Sequence, residues 1–295
     1  MDNKIPGKDI SDSDLLDKFP LASKKNKDHF SKFSINNSNF GSEEIVIMAG
    51  PNTIENKDMA FRTAEFLKKR GVQFFRGGAF KPLTFPYRSD KYFELREEGL
   101  RILQEVRKEF DISIITEIME ESKVNAVAEV ADILQIGTRN MQNFPLITNC
   151  AKTQKPIMLK RHFGCSIRDL LGSAEYALIE KNKKILLCER GIVAPHTHKS
   201  SSRFMLDIQF VPAIKEISHL PIVLDPSHAC FWSPWVESLS LASIAAGTDA
   251  IMLEVHPDPR NAAVDPLQPL SFEEYNDLHL KMSKVAEAVG KKING

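Results

Sequence analysis

The chain has 295 residues, 42% of them hydrophobic and 26% charged, with 39 Lys and Arg against 39 Asp and Glu. That length and apolar fraction suit one well-cored α/β domain, and zero net charge excludes the broad basic surface of a nucleic-acid binder. No apolar run approaches the roughly 20 residues needed to cross a bilayer, MDNKIPGKDISDSD lacks the apolar core of a secretory signal, and Cys150, Cys165, Cys188 and Cys230 show no CxxC pairing. A cytoplasmic protein with reduced thiols is expected, with no membrane and no nucleic-acid partner.

Residues 1–43 are polar and too few to build a core, so they read as an arm that can carry a short hairpin, not as a second domain. From residue 44 a regular alternation begins. EIVIMAG (44–50) is a buried strand, and DMAFRTAEFLKKRG (58–71) places Met59, Ala60, Ala64 and Leu67 at helical spacing before the stop at Gly71. VQFFRGG (72–78) is the second strand, followed by the helix 92–110. Strands follow at 112–118, 131–137, 155–161, 184–191, 220–228 and 250–257, with helices at 121–130, 166–182 and 271–290. Apolar strands without polar alternation suit a parallel sheet covered on both faces. Eight βα units in about 250 residues indicate a (β/α)8 TIM barrel over 44–295 with a short N-terminal extension. A doubly wound sheet is the alternative, but no Gly-rich nucleotide fingerprint accompanies the repeats.

In a TIM barrel the active site lies at the C-terminal ends of the strands. There the chain places Arg76 and Lys81, Glu117, Arg139, Lys160, Arg190, Asp225, His228, Glu254 and His256. A single Arg after a strand is usually a surface charge. Five cations at one mouth of a neutral protein repel one another unless an anion sits among them. Arg grips carboxylate or phosphate bidentately and Lys adds a point charge, so a small polyanion carrying both groups fits, either phosphoenolpyruvate or a sugar phosphate. Asn52, His228, Glu254 and Asp265 form a second constellation, which suits Mn²⁺, Fe²⁺ or Zn²⁺, or else a hydrogen-bonded polar cluster without metal.

AGPN, FRGGAFKP, QIGTRNMQNF, LKR, CERG, DPSH, EVHPDP and AVDPLQPL occur in that order at successive strand ends. Over residues 44–290 the chain resembles the type I 3-deoxy-7-phosphoheptulonate synthases, in the subgroup close to 3-deoxy-octulosonate 8-phosphate synthase. The resemblance implies that C3 of phosphoenolpyruvate joins an aldehyde carbon, water adds at C2, and phosphate leaves by C–O cleavage. It also implies that Arg139, Lys160 and Arg190 hold the phosphate, while Arg76 and Lys81 face the carboxylate and the incoming aldehyde. Lys81, His228, Asp225 and Glu117 are the candidate catalytic residues, and Thr84, Arg88 and Arg203 the candidate acceptor contacts. His228, Glu254 and Asp265 match three of four metal ligands; no organic cofactor is expected. Family barrels form tetramers, so a homo-oligomer is expected. Regulated relatives carry an extra ferredoxin-like or chorismate mutase domain, and with only the short arm before the barrel no feedback through such a domain is expected.

Three departures stand out. Asn52 replaces the metal-binding Cys, as in the metal-independent octulosonate enzymes, so this chain is expected to need no metal or to bind one weakly. Leu83 in KPLTFP replaces the Arg that contacts the acceptor's phosphate and cannot donate a hydrogen bond. Phe204 in SSRFMLD replaces an Asn that serves the same phosphate, and His162, His196 and His198 are additional. The phosphoenolpyruvate half is retained and the aldehyde half rewritten, so an acceptor other than ordinary erythrose 4-phosphate, or one held differently, is expected. Three functions compete: a heptulonate synthase, a sister carboligase including the octulosonate case, and a barrel kept only as a binding scaffold. Phe231, Trp232 and Trp235 either close the aldehyde pocket or form an apolar patch.

Overall fold

The computed structural model describes residues 12–82, 94–195 and 204–294. After a short helix α1 (Asp12–Lys18), strands β1 (Phe33–Ile35) and β2 (Ser38–Phe40) form an antiparallel hairpin. The chain then runs β3 (Glu44–Gly50), α2 (Lys57–Lys69), β4 (Phe74–Arg76), α3 (Glu97–Phe110), β5 (Ser113–Ile118), α4 (Val124–Val130), β6 (Ile133–Ile136) and α5 (Phe144–Lys152). It continues through β7 (Ile157–Lys160), α6 (Ile167–Ile179), β8 (Ile185–Glu189), α7 (Phe210–Ile217), β9 (Ile222–Leu224), α8 (Pro226–Cys230), α9 (Ser233–Ala245), β10 (Ala250–Glu254), α10 (Phe272–Ala288) and β11 (Lys292–Asn294). Strands β3 to β10 pair in order, all parallel, and β10 closes back on β3 with Ala250 opposite Val46. This is the expected (β/α)8 barrel. Strand β11 adds a parallel pairing beside the start of β3.

Each strand is apolar on both faces because each face has its own core. On β3, Ile45, Ile47 and Ala49 point out into the helix layer, while Val46 and Met48 point into the barrel, the period of two that a pleated strand imposes. The interior core also holds Phe74, Ile115, Ile133, Met158, Leu186, Val223 and Met252. Ile35 and Phe40 of the hairpin belong to this same cluster, with the Phe40 ring edge-on to Phe74 at 5.7 Å. The hairpin therefore plugs the end of the barrel opposite the candidate site. The preceding arm lies along the barrel wall, where Glu175 of α6 accepts from Leu21 N and Ala22 N at 2.9 and 2.6 Å.

Several helix starts are chemically marked. Asn56 caps α2 by accepting from Met59 N at 2.8 Å, and Ser166 with Asp169 and Ser271 with Glu274 form reciprocal capping boxes on α6 and α10. Of the strand ends, the one expected at 228 departs furthest from expectation. DPSH is not the end of a strand: β9 stops at Leu224, and Pro226–Cys230 forms α8. Asp225 caps that turn by accepting from His228 N at 3.1 Å, and Pro226 presets its first residue.

Candidate active site

The period of two that packs the barrel interior also builds the site. On six of the eight strands the inward position below the mouth is apolar, and the next inward position above it is polar. Phe74 is followed by Arg76, Ile115 by Glu117, Ile133 by Gln135, Met158 by Lys160, Val223 by Asp225 and Met252 by Glu254. Arg161, one residue beyond Lys160, points the other way and pairs with Glu189 at 3.0 Å and Asp207 at 2.8 Å. It holds the wall together and does not line the mouth.

One cavity opens at the C-terminal ends of the strands. Arg76, Lys81, Glu117, Arg139, Lys160, Arg190 and His228 all line it, with Asn52 and Gln135. All five expected cations therefore meet. Their mutual repulsion is smaller than the sequence suggested, because carboxyl groups of the protein lie against at least two of them among the described residues. Lys160 Nζ is 2.5 Å from Asp225 Oδ2, and Arg76 is 3.9 Å from Glu254. Asp225 and Glu254 are buried beneath the lining and set the charges that reach it.

His228 is held from both sides. Its Nδ1 donates to Asp225 Oδ1 at 3.0 Å, leaving Nε2 to accept from Arg76 at 3.2 Å. Burial pushes the imidazole well below its ordinary range despite Asp225, and Lys160 pushes the same way, so His228 is neutral. Burial alone would raise Asp225, but His228 and Lys160 outweigh it and keep the carboxyl well below the usual range. Lys81 is lowered by burial, with Asp265 and Glu117 opposing. Glu254 is pushed up to about 7 by burial, against Arg76 and with Asp265 adding to the rise. Glu117 accepts from Gln135 Nε2 at 3.0 Å, and any side chain at Gly137 would collide with it.

Asn52, His228, Glu254 and Asp265 adjoin one another, but as a hydrogen-bonded network. Asn52 Oδ1 accepts from Lys81 Nζ, and Asn52 Nδ2 donates to Asp265 Oδ2 at 3.1 Å. Glu254 Oε2 accepts from Gln268 Nε2. Among the described residues, no three His, Cys, Asp or Glu side chains are grouped to hold a metal ion. The donor set itself does not fit one. Its amide oxygen is taken by an ammonium and its imidazole nitrogen by a guanidinium, so a divalent ion would be a third positive charge in the same space.

The structure adds residues that the sequence reading passed over. Gln135 follows the strand period and was legible. Gln268 lies in a loop with no periodicity, so nothing in the sequence marked it, yet it is buried against Glu254. His256 turns from the mouth towards Glu55, 3.2 Å away. Trp235 packs on the outer core and Trp232 precedes α9, and neither they nor Phe231 line the cavity. The aromatic wall is instead Phe163 and Phe204. The acceptor candidates Thr84, Arg88 and Arg203, and with them Leu83, His196 and His198, lie outside the described residues.

A model of the DAHP synthetase I family matches residues 25–291. The chain belongs to that family. Among relatives of this family member, the phospho-2-dehydro-3-deoxyheptonate aldolase of Thermotoga maritima is 41% identical over 280 residues, spanning 95% of this chain and 81% of the relative. The crystal structure of that Thermotoga maritima DAHP synthase superposes with a TM-score of 0.86, covering 92% of this chain and 78% of that one. A truncated form of the Thermotoga maritima 3-deoxy-D-arabino-heptulosonate 7-phosphate synthase gives 0.84 at 39% identity, covering 94% and 99%. The 2-dehydro-3-deoxyphosphooctonate aldolase of Pisum sativum is 30% identical over 278 residues, 85% of this chain and 91% of the relative. The family member is thus an aldehyde-condensing transferase of the 3-deoxy-7-phosphoheptulonate synthase type.

Proposed function

We propose that the mouth of this barrel binds phosphoenolpyruvate and condenses it with an aldose, with release of phosphate. The observation that carries this reading is the meeting of Arg76, Lys81, Arg139, Lys160 and Arg190 around one cavity. Arg139, Lys160 and Arg190 take the phosphate, and Arg76 and Lys81 face the carboxylate and the aldehyde. The reaction joins C3 to the aldehyde carbon, water supplies the new oxygen at C2, and phosphate departs with its bridging oxygen. Holding the two reactants in one cavity supplies much of the acceleration.

Lys81, with its ammonium made more acidic by burial, donates the proton that the developing alkoxide requires. Neutral His228, oriented by Asp225, keeps the Arg76 guanidinium turned into the cavity. Glu117, which lines the same cavity, orients the water that adds at C2. Asn52 stands where the resemblance puts a metal-binding Cys, its amide held by Lys81 and Asp265, and the chemistry runs through these side chains without a metal. The acceptor is an aldose; the exchange of Leu83 and Phe204 for phosphate-gripping residues supports an acceptor held differently from erythrose 4-phosphate in the heptulonate synthases.

The expected assembly is a homo-oligomer, a tetramer, working in the cytoplasm; among the described residues no helix is long and apolar enough to cross a membrane. Phosphate release from phosphoenolpyruvate, measured against erythrose 4-phosphate, arabinose 5-phosphate and unphosphorylated aldoses, tests the function. Release with at least one aldose is expected. No release with any of them, from protein that still binds phosphoenolpyruvate, would leave only the scaffold reading.

A further inference from the structure

A row of planar groups closes one side of the cavity. The His162 and Phe163 rings lie 4.1 Å apart, Phe163 stacks on Phe204 at 5.0 Å with 27° between the planes, and Phe204 carries the Arg190 guanidinium 4.4 Å from its centroid. The row is braced by the backbone. Val193 N donates to Phe163 O at 2.9 Å, and Ile192 and Met205 exchange hydrogen bonds of 2.9 and 3.0 Å. Gly191, at φ +102°, makes room for it, since a Cβ there would approach Phe204 Cβ to 2.7 Å. Side-chain stacking, an isolated antiparallel backbone bridge and a glycine at positive φ all serve the same placement of one ring.

We propose that Phe204 is a positioning residue for phosphoenolpyruvate, its ring face setting the plane of Arg190 so that the guanidinium presents its edge to the substrate phosphate. The inference rests on the reading of Arg190 as a phosphate contact. All five N–H groups of a guanidinium lie in its plane. A ring on its face therefore fixes orientation without consuming a donor, which a hydrogen-bonding partner would do. The same ring shields one face from water, so the charge acts on an anion at lower effective dielectric. A preset guanidinium also has less freedom to lose when the phosphate arrives.

The test uses the full chain with Phe204→Leu, Phe204→Tyr and a series carrying one, two or three fluorines on the Phe204 ring. Fluorination keeps the shape and drains the negative face that holds the cation. Phe204→Leu is expected to raise the KM for phosphoenolpyruvate about tenfold with kcat at saturation unchanged, Phe204→Tyr to behave as wild type, and the fluorinated series to raise KM stepwise. Calorimetric binding of phosphoenolpyruvate without aldehyde should follow the same order. A flat KM and binding constant across the fluorinated series overturns the proposal even if Phe204→Leu fails to fold. So does a loss confined to kcat or to the KM of the aldehyde, which would put Phe204 on the acceptor side. If wild-type protein binds no phosphoenolpyruvate, the functional reading fails and this inference with it; if it binds and the series is flat, only the role of Phe204 fails.

Discussion

Asp225→Asn isolates the charge at the base of the site. Asp225 has no exposed surface, and its carboxylate meets Lys160 at 2.5 Å and His228 at 3.0 Å. Asn keeps the volume and can still cap α8, so the change removes little except the negative charge. Breaking one partner of a buried pair leaves the other uncompensated and destabilises by about 3–5 kcal/mol. For a chain of this size, at about 2 °C per kcal/mol, the melting temperature should fall by roughly 6–10 °C. The double variant Lys160→Met, Asp225→Leu removes both charges at similar volume, and should recover most of that fall because apolar replacement of a buried pair is often neutral. It should remain inactive, having lost a phosphate-binding cation. Added phosphoenolpyruvate should raise the melting temperature of Asp225→Asn more than that of wild type, because the anion then compensates Lys160. Scanning calorimetry with a phosphate-release assay reads all three. A single variant melting within about 2 °C of wild type, or an active double variant, would refute the argument.

Gly137→Ala should push Glu117 aside, since the added carbon would lie 2.7 Å from Glu117 Cδ; kcat should fall about 100-fold, and an unchanged kcat would remove Glu117 from the catalytic groups. Glu254 titrates near 7 in the fold and lower when unfolded, so the folded state holds the extra proton between those values. Stability should therefore fall as pH rises through that window, and thermal melts of Glu254→Gln over the same range should be flatter; parallel slopes would contradict the assignment. Prolonged treatment with EDTA should leave kcat unchanged, whereas loss on chelation and return on adding Mn²⁺ would reverse the metal reading. Asn52→Cys removes a hydrogen bond to Lys81 and another to Asp265, each to a charged group and worth about 1.5–3 kcal/mol, so activity without metal should drop at least tenfold; undiminished activity would mean the network is dispensable.

The barrel was legible because parallel strands covered on both sides carry unbroken apolar runs, as IVIM (45–48) in EIVIMAG and ILL (185–187) in KILLCERG do. The five cations were legible because function sits at strand ends and side chains alternate, so Arg76 and Lys160 had to point inward if Phe74 and Met158 did. The counter-charges were harder to read. Asp225 and Glu254 were visible as strand-end acids, but not that they neutralise Lys160 and adjoin Arg76, since those contacts join residues 65 and 178 positions apart. Helices α5, α7 and α9 were not separately expected: α9 reads SPWVESLSLASIA, with apolar residues around its whole circumference and no clear stripe. Phe204 was noticed as a substitution, but its partner Arg190 lies 14 residues away in the chain, and stacking of that kind leaves no periodic trace.

The hairpin of β1 and β2 has a consequence for how the chain comes apart. Its Ile35 and Phe40 share one cluster with Val46, Phe74 and Met158, residues of β3, β4 and β7. A protein cut at the polar boundary near residue 43 would open that cluster to water from below, and the strand that loses the Phe40–Phe74 ring contact there is the one that carries Arg76 at its other end. The compositional border between arm and barrel is therefore not a border in cooperativity, and the floor of the barrel and the chemistry at its mouth should be lost in a single unfolding step.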